Sequence, residues 1–292
     1  MKQLIFVLIC VLMISGNLYA QDSHYNKKLL PAIRNAAGMI PGPFPNSVNV
    51  LKICSLTAPS SLVIEGRSSG SVDAVHTMFQ IRYPDGWIMV DVSGDKELLG
   101  EEKINEEAFR QSVEALIGAN LIIVTHEHFD HIWRLFNSPN AEQYAKKSIL
   151  TSEQVNSLIT KPSHPKVGLT EKDADRFQTV SYDKIFPLAP GVVLIKAPGH
   201  SPGGQMVYIR LDSGKELILS GDVATMKEGI DKGLQKPENV SKQAGEDRDA
   251  IAKQLKWLKE VEGMGVVVVV SHDLEDINGL IEKGVLGNGI KF

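Results

Sequence analysis

Short apolar runs alternate along the chain with polar, helix-patterned stretches, the texture of an α/β domain. Val75–Tyr83 and Trp87–Val92 are strand-like and flank Pro84-Asp85-Gly86, a turn sequence, so they predict a hairpin. Glu101–Ile117 is polar with apolar residues at Ala108, Val113, Leu116 and Ile117, the pattern of an amphipathic helix. Leu121–Val124 and Val192–Lys196 suit buried strands. Met206–Leu211 and Leu217–Ser220 predict a strand pair around the turn Asp212-Ser213-Gly214-Lys215. Arg248–Val261 places Ile251, Leu255, Leu258 and Val261 on one helix face, and the valine run Val266–Val270 reads as a buried strand. Gln21–Val50 is loop-like, because Pro41-Gly42-Pro43-Phe44-Pro45-Asn46 excludes helix and central strand. Ala141–Tyr182 mixes helix and loop texture, and Thr225–Gly245 is polar and loop-rich. No internal repeat is present.

The apolar runs share one property: each ends close to a potential metal ligand. Trp87–Met89-Val90 ends at Asp91 and Leu121–Val124 at Thr125-His126. Val192–Lys196 ends shortly before His200, Leu217–Ser220 at Asp222, and the valine run at His272. Layered α/β folds carry their chemistry at such strand ends, where loops are free of the sheet. Five of the 8 histidines fall there, leaving His24, His76 and His164. His126, His128, Asp130 and His131 stand within six residues, an expensive concentration of ionisable groups unless they coordinate something. In an extended stretch, positions two apart face the same way. His126 and His128 can therefore serve one ion while His131 turns to another. Imidazole with carboxylate suits zinc, with iron or manganese as alternatives. The cluster is not the helical HExxH zinc motif, because Asp130 stands where the second histidine would be.

Composition narrows the picture. The first twenty residues, Met1–Ala20, have a lysine, an apolar core and a small residue at the end, which predicts a cleaved signal peptide and an exported (periplasmic or secreted) protein, with an uncleaved membrane anchor as the alternative. The apolar run is short for a membrane span of about 20 residues, so no stable membrane association is expected after cleavage. Residues 21–50 then form an irregular lead and residues 51–292 the folded domain. Without Cys10 of the leader, Cys54 is the lone cysteine, so no internal disulfide is available, and it is read as a buried small apolar residue. The net charge of -4, with no dense basic block, disfavours nucleic acid as a partner. A small-molecule substrate is expected.

The motifs Thr125-His126-Glu127-His128-Phe129-Asp130-His131, Ala197–Gly204, Ser220-Gly221-Asp222 and Ser271-His272-Asp273 resemble, in that order, those of the metallo-β-lactamase-fold hydrolases. The resemblance spans roughly Val72 to Asp276. It implies a four-layer αββα sandwich with a site for two divalent metal ions at one edge. Carried over, His126, His128 and His200 hold the first metal, Asp130, His131 and His272 the second, and Asp222 bridges them. Asp91 resembles the family's acidic residue that supports the site from behind the ligands, and Gly199, Gly203 and Gly204 let the backbone turn tightly around His200. The implied reaction is attack by a metal-activated hydroxide, with Asp130 as the catalytic acid and base. Ser201 is read as a turn residue, with no nucleophilic role.

The best local resemblance is to the lactonase-like branch, which opens acyl-homoserine lactone rings. That branch carries a tyrosine three residues after the bridging aspartate, where this chain has Thr225. A secreted metallo-β-lactamase is the alternative, although those enzymes lack a bridging aspartate. Glyoxalase II shares the ligand set but acts on a cytosolic thioester. A non-catalytic metal-binding module is the reading from a different class, disfavoured by the seven filled ligand positions.

Overall fold

The computed structural model describes residues 24–100 and 103–292. The predicted leader, Met1–Ala20, lies outside the described residues. No helix among the described residues is long and apolar enough to cross a membrane.

The strands are β1 (Ser47–Pro59), β2 (Ser71–Tyr83), β3 (Gly86–Val90), β4 (Leu121–Ile123), β5 (Ser148–Thr151), β6 (Gln178–Val180), β7 (Ile185–Ala189), β8 (Val192–Lys196), β9 (Gln205–Arg210), β10 (Glu216–Leu219), β11 (Val267–Val269) and β12 (Gly287–Asn288). They form a 7-stranded sheet in the order β12-β1-β2-β3-β4-β5-β6 and a 5-stranded sheet in the order β11-β10-β9-β8-β7. The principal helices are α1 (Leu29–Ala37), α2 (Glu106–Gly118), α3 (Ser152–Thr160), α4 (Arg248–Glu262) and α5 (Leu274–Glu282). The predicted hairpin is present, with Tyr83 paired to Gly86, and β9 and β10 pair antiparallel as expected. The pairs β3–β4 and β10–β11 are parallel, and α2 and α4 supply their crossovers.

Three apolar clusters define four layers. Val48, Val50, Phe79, Ile81 and Val90 of the first sheet meet Leu194, Val207, Ile209 and Leu219 of the second in the central core. On the outer face of the first sheet, Met78, Met89 and Ile122 pack against Ala115 and Leu116 of α2. On the outer face of the second, Val193, Ile195 and Ile218 pack against Leu30 and Ile33 of α1 and Leu255 and Leu258 of α4. This is the expected αββα sandwich. It explains why β8 reads as a continuous apolar run: alternate residues enter different cores, so both faces are buried. Each such side chain contributes roughly 1.5–3 kcal/mol on burial.

The structure corrects several details. A helix, α1, occupies Leu29–Ala37 inside the stretch expected to be loop-like. Its Pro31 falls in the first turn, where a missing N–H costs no helical hydrogen bond, and Leu29, Leu30, Ile33, Ala36 and Ala37 are buried at helical spacing. The helix predicted from Glu101 starts at Glu106, where the Asn105 side chain accepts a hydrogen bond from the Ala108 N–H at 3.0 Å. Short helices at Lys227–Lys232 and Glu238–Ala244 structure the segment expected to be loop-rich. Cys54 is buried, as expected, and burial raises its thiol pKa.

Candidate metal centre

All seven sequence-predicted ligand residues converge at one edge of the sandwich. The first sheet delivers four of them from the segment after β4, where His128 precedes a single helical turn, Phe129–Ile132, that carries Asp130 and His131. The second sheet delivers His200 after β8, Asp222 in the turn Gly221–Val223 after β10, and His272 after β11. Their ligand atoms form three groups, each spanning less than 4.8 Å: His126, His128 and His200; His126, His131 and Asp222; and Asp130, His131 and His272.

Asp222 stands between the two histidine sets. Its Oδ2 lies 3.6 Å from His200 Nε2. Its Oδ1 lies 3.1 Å from His272 Nε2 and 3.5 Å from His131 Nε2. Asp130 Oδ2 lies 3.5 Å from His131 Nε2 and 3.8 Å from His272 Nε2.

The donor set fits divalent cations. His128 Nδ1 and His200 Nε2 face each other at 2.9 Å, and His131 Nε2 and His272 Nε2 at 3.2 Å. Three of these rings have their protons assigned by acceptors behind them. His131 Nδ1 donates to Asp91 Oδ2 at 2.9 Å, His272 Nδ1 to the Val75 carbonyl at 2.9 Å, and His200 Nδ1 to Glu246 Oε1 at 2.7 Å. Each Nε2 is then a free lone pair aimed inward. His126 Nε2 is buried with no hydrogen-bond partner among the described residues. Such converging lone pairs repel unless a proton or a cation sits between them.

The electrostatics carry the same demand. Burial opposes charge on His131, yet Asp130, Asp222 and Asp91 push its pKa up to about 10. Burial likewise opposes charge on His272, and Asp222 overrides it, raising that pKa. Asp222 also pays for burial, yet the neighbouring His272 and His131 hold its carboxyl well below the usual range. The buried carboxylates thus call for positive charge at the positions a metal would take. His126 and His128 titrate low, the latter at about 4, because burial outweighs their acidic neighbours.

The structure brings several of the orienting residues expected from the sequence to the site, together with others that the sequence reading did not single out. Asp91 lies behind His131 and also accepts from the Thr125 N–H at 2.7 Å and from the Thr125 hydroxyl. It holds a left-handed φ of 63°, a strain of about 1–3 kcal/mol for a non-glycine residue. The donors on its carboxylate keep it there. Ser201 is a turn residue: its hydroxyl donates to Glu127 at 2.8 Å. Gly199 has φ 155°, whereas Gly203 and Gly204 are needed for close approach, since a Cβ on Gly204 would lie 2.5 Å from the Ala197 carbonyl oxygen. Glu127, Glu246 and His76 were missed. Glu127 hid between two histidines, and it ties the segment after β4 to the His200 loop by also accepting from the Gly203 N–H at 3.0 Å. His76, outside the strand-end pattern, sits 3.6 Å from Asp130 Oδ2 with its ring 5.3 Å from that of His272. Burial lowers its pKa to about 4. His24 and His164 lie outside the ligand groups.

An open groove of about 940 Å³ runs beside the centre, lined among others by Val72, Met226, Lys227, Asp273 and Leu274. None of the seven candidate ligand residues lines it, although Asp273, which follows His272 directly, does.

Residues 73–272 match the Metallo-beta-lactamase superfamily. An N-acyl homoserine lactonase of Bacillus thuringiensis subsp. kurstaki is 28% identical over 159 residues, covering 53% of this chain and 56% of that protein. One from Bacillus sp is 26% identical over 162 residues, covering 54% of this chain and 57% of that protein. The chain therefore spans about half the length of the relatives it matches. Among solved structures, a quorum-quenching N-acyl homoserine lactone lactonase superposes with a TM-score of 0.62 at 19% identity, covering 81% of this chain and 95% of that one. A dizinc quorum-quenching lactonase gives 0.59 at 15%, covering 78% and 88%. At these identities the likeness is one of fold.

Proposed function

Since the chain belongs to the metallo-beta-lactamase superfamily, we propose that it is a dinuclear, zinc-dependent hydrolase that opens a carbonyl ester of the lactone type. The observation that carries the reading is Asp222, whose two oxygens face different histidine sets. When bound, two divalent cations would acidify a water and polarise the carbonyl it attacks. His126, His128 and His200 would hold one of them, and Asp130, His131 and His272 the other, with Asp222 shared.

The protein's own groups supply the rest. Asp91, Val75 and Glu246 fix the tautomers of three ligands. Asp130 is partly exposed at the mouth of the site, where it can take the proton of the attacking water and hand it to the leaving alkoxide. The Thr125–Asp91 contact ties the loops after β3 and β4 within the first sheet, and the Glu127–Gly203 tie joins that sheet's loop to one of the second, so the ligands are in place before substrate arrives.

The names of the related lactonases support a lactone substrate, and the shared position of Asp222 supports it over a lactam. Thr225 replaces the tyrosine of the lactonase-like branch, so its pocket differs there. Export follows from the reading of Met1–Ala20 and would be seen as a mature N-terminus after Ala20. The decisive assay presents the zinc-loaded mature protein with an acyl-homoserine lactone, an aryl ester and a carbapenem, each with and without chelator. Chelator-sensitive lactone opening is expected. Chelator-sensitive lactam cleavage in its place would promote the β-lactamase reading, and silence on all three would sink the hydrolase reading for these substrates.

A further inference from the structure

We propose that Glu246, clamped by Lys236, is a positioning residue that holds His200 with its Nε2 facing the first metal position. The inference rests on the metal-centre reading above and concerns a segment that none of the site motifs contains. Glu246 Oε1 receives His200 Nδ1 at 2.7 Å and Lys236 Nζ at 2.7 Å, and its side chain is only 2% exposed. A buried carboxylate is costly unless its partners are good ones. Helix capping does not account for it: Asp247 caps α4, accepting from the Ala250 N–H at 3.0 Å, and leaves the Glu246 carboxylate free for His200.

The backbone is built to hold the contact. The Asp247 N–H donates to the Gly199 carbonyl at 2.8 Å, so the residues before His200 and after Glu246 are tied together. Arg248 donates to the Lys236 carbonyl and, at 2.7 Å, to Glu65, anchoring the segment that carries Lys236. Lys236 keeps Glu246 Oε1 at one place, and that oxygen then sets the ring orientation of His200. Acceptors behind metal-ligating histidines typically alter metal affinity by roughly 10–100-fold.

The test compares the wild type with Glu246→Ala, Glu246→Gln and Lys236→Ala. Zinc affinity is read by competition with a chromophoric chelator, and ligand geometry by the absorption spectrum of the cobalt-substituted protein. Thermal melts of the metal-free forms check folding. In Glu246→Ala, one metal should bind roughly 10–100-fold more weakly while the other is unchanged, and the cobalt spectrum should shift. Glu246→Gln keeps an acceptor oxygen and should recover most of the affinity, with Lys236→Ala in between. Two metals at wild-type affinity with an unshifted spectrum in Glu246→Ala would overturn the inference alone. Equal loss of both metals in Glu246→Ala and Glu246→Gln would make Glu246 merely structural and overturn it too. A wild type that takes up no metal would overturn the proposed function and this inference with it.

Discussion

Asp91 Oδ2 and His131 Nδ1 meet at 2.9 Å on the floor of the site, with side chains 1% and 2% exposed. The carboxylate obliges His131 to carry its proton on Nδ1, away from the metal positions. The Thr125 N–H claims Asp91 Oδ1 at 2.7 Å, so an amide at residue 91 would keep its oxygen there and turn its NH2 toward His131, which opposes that tautomer. Asp91→Asn should weaken the second metal by roughly 10–100-fold. Elemental analysis after dialysis against a mild chelator should then find one metal in place of two, and two retained metals would refute the role.

The shared position of Asp222 makes a sharper claim. Asp222→Ala should weaken the second metal and cut turnover, whereas His200→Ala should empty the first site. Metal content and rate are measured on the same preparations. Wild-type values in Asp222→Ala would remove the bridge, and two retained metals in His200→Ala would break the ligand assignment.

Away from the centre, Asp276 in the first turn of α5 has a pKa pushed up to about 6 from 3.8, by burial and then by Asp273. Its Oδ2 has no hydrogen-bond partner among the described residues. A raised folded-state pKa means that the group's stabilising contribution is full below 3.8 and is lost as pH rises through about 6. At neutral pH the charged form therefore works against the fold. Asp276→Asn should stabilise the protein at pH 7.5 by about 1 kcal/mol after discounting for solvent screening. The gain should vanish near pH 4 in thermal melts across that range. A constant gain at every pH would rule out titration as its cause.

Gly203 sits where the His200 loop crosses α3. A Cβ there would come within 2.4 Å of Gln154 Cγ, 2.7 Å of the Gln154 backbone nitrogen and 2.7 Å of Glu127 Oε2. A helix backbone cannot yield as a side-chain tip can, so Gly203→Ala should destabilise the fold by about 1–3 kcal/mol in urea unfolding. An unchanged midpoint would show that the loop has slack.

The sheets were legible because burial on both faces leaves apolar runs in the sequence, and the candidate ligand positions were legible because they follow those runs closely. The strand β1, 13 residues long, was not read at all. Its second half alternates between exposed and partly buried positions among polar residues, and its partner is supplied only by tertiary pairing with β2. α1 was hidden by the proline-rich segment after it. Glu246 stands 46 residues from His200, and nothing local marks it, because its meaning arises when α4 docks against the His200 loop. Glu127 was masked by the histidines on either side. His76 falls outside the strand-end pattern, and only the fold shows that β2 crosses to His272, whose Nδ1 it engages through Val75.

The seven candidate ligands are divided between the two sheets, four from the first and three from the second. Neither half can assemble a site unaided, so a bound ion would act as a rivet across the sandwich, and its binding energy would be added to the energy that keeps the halves docked. Metal occupancy then becomes a gauge of how well the halves are seated. A substitution in the central core far from any ligand, at Val207 for instance, should raise the rate of metal loss while the helices and strands are still intact.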